Sequence, residues 1–192
     1  MKLYKLLFAS TLLLFISCNS DDTESDVNTD TNSLVGTWDT SSIETEGTTA
    51  ISLEGISIST TFTGTSKDED LAYTFTENTI SFEGGYTTVL TISVPGQDPI
   101  TEEAVVPDSN GSTTYILENG NTLVLGEDFF NYSDSSGVEI AENVQFDENS
   151  TVIKSISETT MVIESVSKGT YEQQGATVEF DLKATATLTK VN

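Results

Sequence analysis

Strict alternation of apolar and polar side chains marks one segment near the end of the chain. Every second residue from Ala176 to Leu188 is apolar, and the residues between them are threonine, acid or lysine. Because successive side chains of a strand point to opposite faces, this pattern predicts a long strand with one buried and one solvated face. We expect even-numbered Val178, Phe180 and Leu182 to face the interior of a sheet that closes on itself.

The same period of two recurs through most of the remaining chain. Hairpin turns are predicted at Glu77-Asn78 and at Asn119-Gly120, each between runs of alternating residues. Gly84-Gly85 is expected to form a bulge or bend. Further strands are expected at 35–43, 50–62, 129–133, 151–157 and 161–167, with a phase switch at Glu54-Gly55. Residues 95–112, which contain all the prolines, are expected to form a long polar loop.

These elements predict an all-β domain of about eight to ten antiparallel strands. No segment beyond the first residues has a convincing helical period. Consecutive strands joined by hairpin turns are typical of an up-and-down barrel or of a sandwich. The alternation leaves both architectures open.

A short motif opens the strand-rich region. Leu34-Val35-Gly36-Thr37-Trp38 matches the Gly-X-Trp signature on the first strand of lipocalins. The region 34–192 resembles the lipocalin-like domains of Bacteroidetes lipoproteins in four further places, namely Tyr73-Thr74-Phe75, the runs 117–125 and 156–163, and the closing run 186–190. The resemblance implies an up-and-down antiparallel β-barrel.

The resemblance also implies a structural role for the signature residues. Gly36 and Trp38 are expected at the floor of the barrel, where the tryptophan plugs one end. Lipocalins commonly place an arginine over this ring, and this chain has none. Lys190 or Lys183 is therefore expected to take that place through a cation–π contact.

The beginning of the chain has the pattern of a secretory signal. Lys2 and Lys5 precede a short apolar run that ends at Ser17, and Cys18 follows. This arrangement resembles the lipobox of bacterial lipoproteins. It implies a signal peptide at 1–17, a lipid on Cys18 that anchors the chain to the bilayer, and a disordered acidic tether over 18–33.

Two aspartates that follow this cysteine bear on where the protein is located in the cell. Asn19-Ser20-Asp21-Asp22 resembles the export signal that sends Bacteroidetes lipoproteins to the outer face of the outer membrane. Asp21 and Asp22 are thus expected to direct the chain to the cell surface. In the alternative interpretation they only begin a solvated tether, and the protein stays on the periplasmic face of the membrane.

Charge and composition exclude several classes of function. The mature chain from Cys18 carries five lysines against 31 carboxylates, a formal charge of −26. Such a field repels phosphate backbones, so nucleic-acid binding is excluded. The chain has no arginine and no histidine, so phosphate clamping and an ordinary serine triad lack their usual residues. We expect neither catalysis nor a cofactor.

Two acidic clusters and one aromatic cluster remain as candidate sites. Asp68-Glu69-Asp70 and Asp147-Glu148-Asn149 offer oxygen ligands for calcium, but neither has the spacing of a calcium loop, so no metal site is predicted. Phe129 and Phe130, with Tyr132, are candidates for a ligand portal or a partner contact. Adjacent strand residues face opposite sides, and the alternative is a bent or edge strand with both rings partly covered.

Two functions are consistent with these observations. In the first, an outer-membrane-anchored barrel encloses a small apolar or amphipathic ligand. In the second, the interior is filled, and the domain is a non-catalytic structural or partner-binding module. An enclosed apolar cavity separates the two.

Overall fold

The computed structural model describes residues 29–53, 56–126, 144–173 and 175–191. Within these ranges the chain forms one short helix and nine strands. They are α1 Thr31–Leu34, β1 Gly36–Leu53, β2 Ile56–Lys67, β3 Ala72–Phe75, β4 Thr79–Ser93, β5 Ile100–Glu118, β6 Thr122–Leu125, β7 Gln145–Ile156, β8 Thr160–Gln173 and β9 Ala176–Lys190. The prediction of an all-β, antiparallel domain is confirmed.

The strands form a single antiparallel sheet that closes into a ring. From β3 to β9 each strand pairs with the next along the chain, and β9 pairs with β1. β1 pairs with β3 near its start and with β2 along its later residues, and both β2 and β3 pair with β4. β2 and β3 thus share one position in the ring. The order is up-and-down, with one closed sheet in place of the two facing sheets of a sandwich.

The alternation in β9 has the predicted orientation. Val178, Phe180 and Leu182 are buried, whereas Glu179 and Asp181 are exposed. β9 lies between β1 and β8, and its inward side chains pack against both neighbours. This strand therefore fixes which phase of the adjacent strands faces the interior.

Two expectations about strand boundaries are wrong. The expected strands 35–43 and 50–62 are replaced by one strand that continues through residues 44–49 to Leu53, and by a second that begins at Ile56. The expected loop 95–112 is mostly strand β5. Pro107 is accommodated because it lies in a bulge where Gly84 pairs with Ser109 and Tyr86 pairs with Val106. The bulge predicted at Gly84-Gly85 is confirmed by this register shift.

The described residues before position 34 make contacts with the sheet. Thr29 is buried, and its backbone N–H donates to the Gly120 carbonyl at 2.6 Å. Asp30 caps helix α1 and accepts from the Asn32 N–H at 3.1 Å. The expected coil over 18–33 therefore differs from the structure at residues 29–33. Residues 1–28 lie outside the described ranges.

The interior contains two apolar clusters, one near each end of the ring. The closed-end core lies where β1 begins and β9 ends, and it includes Leu34, Trp38, Phe75, Ile153, Met161 and Leu188. The open-end core consists of Phe62, Leu90, Tyr171, Val178, Phe180, Leu182 and Ala184. Helix α1 contributes Leu34 to the closed-end core, and the open end has no such cover among the described residues.

Three phenylalanine rings lie over glycines of the neighbouring strand. The cross-strand pairs are Gly47 with Phe62, Gly111 with Phe82, and Gly169 with Phe180. A Cβ atom on these glycines would lie 2.9, 2.6 and 2.9 Å from a carbon of the opposite ring. Each glycine thus provides the space that its partner ring fills.

Candidate functional site

The open end of the ring exposes apolar side chains that point inward. On β1 and β2, Leu53 pairs with Ile56 and Ile51 pairs with Ile58, in phase with buried Phe62. Leu53, Ile56 and Ile58 nevertheless have exposed fractions of 50%, 69% and 56%. Inward orientation therefore does not bury these side chains.

Their exposure follows from the unequal heights of the strands. The last pair between β4 and β2 joins Ser93 to Thr61, so residues 56–60 extend beyond the end of β4. On β5, Ile100 shares the inward phase through its pairing with Ile92 and is 47% exposed. We define the mouth as Leu53, Ile56, Ile58 and Ile100.

The electrostatics of the mouth are acidic. Glu102 lies in the inward phase of β5, opposite Leu90, and is exposed. The described lysines are engaged elsewhere, since four form ion pairs with carboxylates and Lys190 lies on the Trp38 ring. An apolar group that enters the mouth therefore meets aliphatic walls and a carboxylate.

Small polar residues occupy several buried positions of the ring beside the two apolar cores. Thr151 and Ser165 share a hydrogen bond of 3.0 Å, and the Ser167 hydroxyl donates to Asn149 Oδ1 at 3.3 Å. The hydroxyls of Thr40, Thr45 and Thr49 on β1 are buried and, within the described structure, have no hydrogen-bond partner. Such a group loses the hydrogen bond it would make to water, which costs about 1–3 kcal/mol.

Among the described residues, large apolar side chains pack the closed-end half of the interior. A cavity of about 20 Å³ remains there, lined by Tyr73, Ile80, Leu123, Leu125, Thr151, Ile163, Ala186 and Leu188. This volume is close to that of one water molecule, and the walls are almost entirely apolar. The cavity is therefore too small for an organic ligand.

The signature residues meet at the closed end. Trp38 is fully buried, and its Nε1–H donates to the Leu34 carbonyl at 2.8 Å. Lys190 Nζ lies 4.9 Å from the centroid of the Trp38 ring and 3.4 Å from the Ser33 carbonyl. A Cβ on Gly36 would lie 2.9 Å from Lys190 Cε, and the φ of Gly36 is +135°. Gly36 thus leaves room for the lysine stem.

Lys183, the other candidate for this contact, lies elsewhere. Its Nζ is 2.6 Å from Glu46 Oε1, and the hydrogen bond to Glu46 raises the pKa of the Lys183 ammonium. Lys183 therefore makes a surface ion pair, and Lys190 alone of the two reaches the tryptophan.

Burial shifts the titration of the tyrosines on β3 and β4. It raises the pKa of Tyr86 to about 12, and it raises the pKa of Tyr73 further, with a smaller effect from the charge of Tyr86. Tyr73 belongs to the closed-end core, and Tyr86 packs against it. Ionising either phenol is thus opposed by the packing of this end.

In each acidic cluster one glutamate interacts with a side chain of another residue. Glu69 accepts a hydrogen bond of 2.5 Å from the Ser66 hydroxyl, and Glu148 lies 2.9 Å from Lys168 Nζ. Within the described residues, no group of three or more metal-ligating side chains comes together.

Several predicted site residues lie outside the described ranges. They are Cys18, Asp21, Asp22, Phe129, Phe130 and Tyr132, together with the expected strand 129–133. The mouth is the feature that sequence reasoning missed. Alternation at 56–58 indicates a strand with a buried face, and only the end of β4 at Ser93 shows that this face is uncovered.

No known protein family and no curated protein matches this chain.

Among the described residues, no helix has the length and apolar character needed to cross a bilayer.

Proposed function

We propose that this protein is a lipocalin-like lipoprotein, anchored to the outer membrane through Cys18 and exposed at the cell surface, that binds a small apolar or amphipathic ligand at the mouth. The observation that carries the proposal is the exposure of four large aliphatic side chains in the inward phase of their strands. Convergent apolar side chains at the opening of a closed sheet are typical of ligand sites.

The proposed site is shallow. Trp38 is fully buried, and the described cavity of the closed-end half has a volume of only about 20 Å³, so the ligand is not expected to lie at that end. The ligand is therefore expected to rest on Leu53, Ile56, Ile58 and Ile100 and on the upper side of the open-end core.

Charge restricts the chemical class of the ligand. The chain has a formal net charge of −24, and Glu102 lies in the inward phase at the mouth. Anionic amphiphiles such as free fatty acids are repelled by this field. An apolar chain with a neutral or cationic head fits the site better.

The packing of the closed-end half also favours the second function. A domain whose described closed end is packed around a cavity of about 20 Å³ can be a structural or partner-binding module, in which the mouth binds no small molecule. Ligand binding at the mouth distinguishes the two functions, because only the first requires it.

Binding of Nile red, a neutral apolar dye, tests the site. Replacing Leu53 and Ile100 with asparagine is expected to weaken dye binding about tenfold or more, because both side chains lose their apolar contact area. The matched control replaces Val105 and Ile116, which are 71% and 63% exposed on the outward phase, and should bind the dye like the parent chain. Equal binding by both double variants, or no binding by the parent, would favour the filled module.

The anchor is tested by cell fractionation. Cys18→Ala removes the proposed site of acylation, so the chain is expected to leave the membrane fraction while the domain from residue 29 stays folded. Asp21→Ala with Asp22→Ala is expected to keep the anchor and to reduce cleavage by protease added to intact cells. A Cys18→Ala chain that stays in the membrane fraction would contradict the lipoprotein assignment.

A further inference from the structure

One strand edge beside the mouth is unpaired. Residues 56–60 of β2, here called the arm edge, pair with β1 on one side. On the other side pairing with β4 begins only at Thr61, so no described strand covers the arm edge. Backbone N–H and C=O groups on that side are open to a further strand.

The arm edge lacks the features that normally block strand addition. It contains serine, threonine and isoleucine, without charge, proline or bulge. Two other incompletely paired edges among the described strands are protected. β5 has Pro107 and Asp108 in a bulge, and β7 has a bulge between Phe146 and Glu148. Proteins use such bulges, prolines and charges to prevent edge-to-edge pairing.

The strands that form and flank the arm edge carry no charged side chain along this stretch, and the nearest acids in the sequence at this end of the strands are Glu54, before β2, and Asp98, after β4. No acidic or basic residue occurs at 56–66 in β2 or at 84–97 in β4 and the turn after it. The outward positions here are Ser57, Ser59, Thr61, Thr91 and Ser93. Elsewhere the chain carries a formal net charge of −24. A second acidic molecule therefore meets less repulsion along these strands than along strands that carry outward carboxylates.

We infer that the arm edge pairs antiparallel with the arm edge of a second copy of this chain. A two-fold pairing brings the same short segment of both copies together, so an uncharged segment can pair with itself without repulsion. A basic partner would instead be attracted to the acidic faces. A pairing centred on Ile58 sets Ser57 of one copy opposite Ser59 of the other and brings the two mouths side by side.

The pairing is small and is expected to be weak in dilute solution. Five residues from each copy provide far less contact than a stable interface of roughly 1,200–2,000 Å². Confinement to a membrane raises the effective concentration of one copy near another. This last step rests on the proposed anchor, whereas the geometry of the edge does not.

Disulfide trapping in the full chain tests the pairing. Single cysteines replace Ser57, Ile58 or Ser59 in separate variants, and the chain is expressed with its signal peptide in a Gram-negative host. Opposed residues of an antiparallel pair have Cβ atoms about 4.5–5.5 Å apart, which is close enough for a disulfide after mild oxidation. We expect at least one of the three variants to form roughly fivefold more homodimer than Ile116→Cys and Val105→Cys, which carry the thiol on outward positions.

A second substitution tests whether the edge itself makes the contact. Ser59→Lys, combined with the best-trapped cysteine at another position, is expected to reduce the homodimer severalfold, because the two lysines then lie on diagonal positions of the paired edges, roughly 7–8 Å apart. Ser112→Lys, at an exposed position of β5, should leave it unchanged. The parent chain, with Cys18 alone, reports background linkage, and fractionation and Nile red binding report the anchor and the mouth independently. Homodimer no greater than in the outward controls, or a cysteine trapped on a different protein, would overturn the inference.

Discussion

The two ends of the ring are made by the same long strands, and they bury their inward side chains to very different extents. At the closed end, Trp38, Met161 and Leu188 are completely buried beneath helix α1 and the neighbouring strands. At the open end, Leu53 and Ile56 have the same inward phase and are at least half exposed. Alternation thus determines which side of the sheet a side chain faces. Whether that side chain is buried depends on which residues of the other strands pack against it.

The largest expected difference between the ends is in stability. Trp38→Ala removes a fully buried ring and its hydrogen bond to Leu34, and we expect a loss of about 3–5 kcal/mol in the free energy of unfolding. Urea denaturation followed by circular dichroism measures this loss.

The matching change at the open end is Leu53→Asn. Its side chain is 50% exposed, so the free energy of unfolding should fall by only about 1 kcal/mol. Comparable losses for the two variants would mean that the mouth is covered by packing in solution.

Alkaline pH is expected to act on the closed end with a smaller effect. Because the pKa of Tyr86 is about 12 in the folded state, against a usual value near 10, the neutral phenol stabilises the fold below pH 10. This contribution is lost as pH rises from 10 to 12, by up to about 1.4 kcal/mol per pH unit. Tyr73 loses its contribution in the same direction.

Denaturant midpoints between pH 9 and 12 (roughly the range in which phenols ionise) measure this loss. Tyr86→Phe has no phenol to ionise and should show a shallower decline than the parent chain. Tyr171, in the open-end core, also has a pKa raised by burial, so Tyr171→Phe is the matched comparison. A decline that neither substitution changes would show that general charge repulsion dominates alkaline unfolding.

The sequence predicted the parts of the fold whose inward residues are large and apolar. Val178, Phe180 and Leu182 revealed β9, and the Gly36–Trp38 motif marked the start of β1. Residues 44–49 were not predicted as part of a strand. The inward positions there are Thr45, Gly47 and Thr49, which give no apolar alternation.

Other features depend on contacts that a single segment does not contain. Pro107 suggested a loop, and the compensating bulge involves Gly84, more than twenty residues earlier in the chain. Helix α1 is only four residues long, too short for a helical period to be visible. The mouth and the arm edge arise where β4 ends at Ser93, so neither was predictable from β2 alone.

The cross-strand pairs of glycine and phenylalanine have a consequence for how this protein tolerates change. A methyl group on Gly111 would collide with the ring of Phe82, and shortening Phe82 would leave a void beside Gly111. Each single substitution is therefore harmful for an opposite reason, and combining Gly111→Ala with Phe82→Leu relieves part of both defects. A methyl group on Gly47 or Gly169 would also meet a backbone carbonyl oxygen, that of Asp181 or Gln145, so a shorter ring alone does not make room at those two glycines.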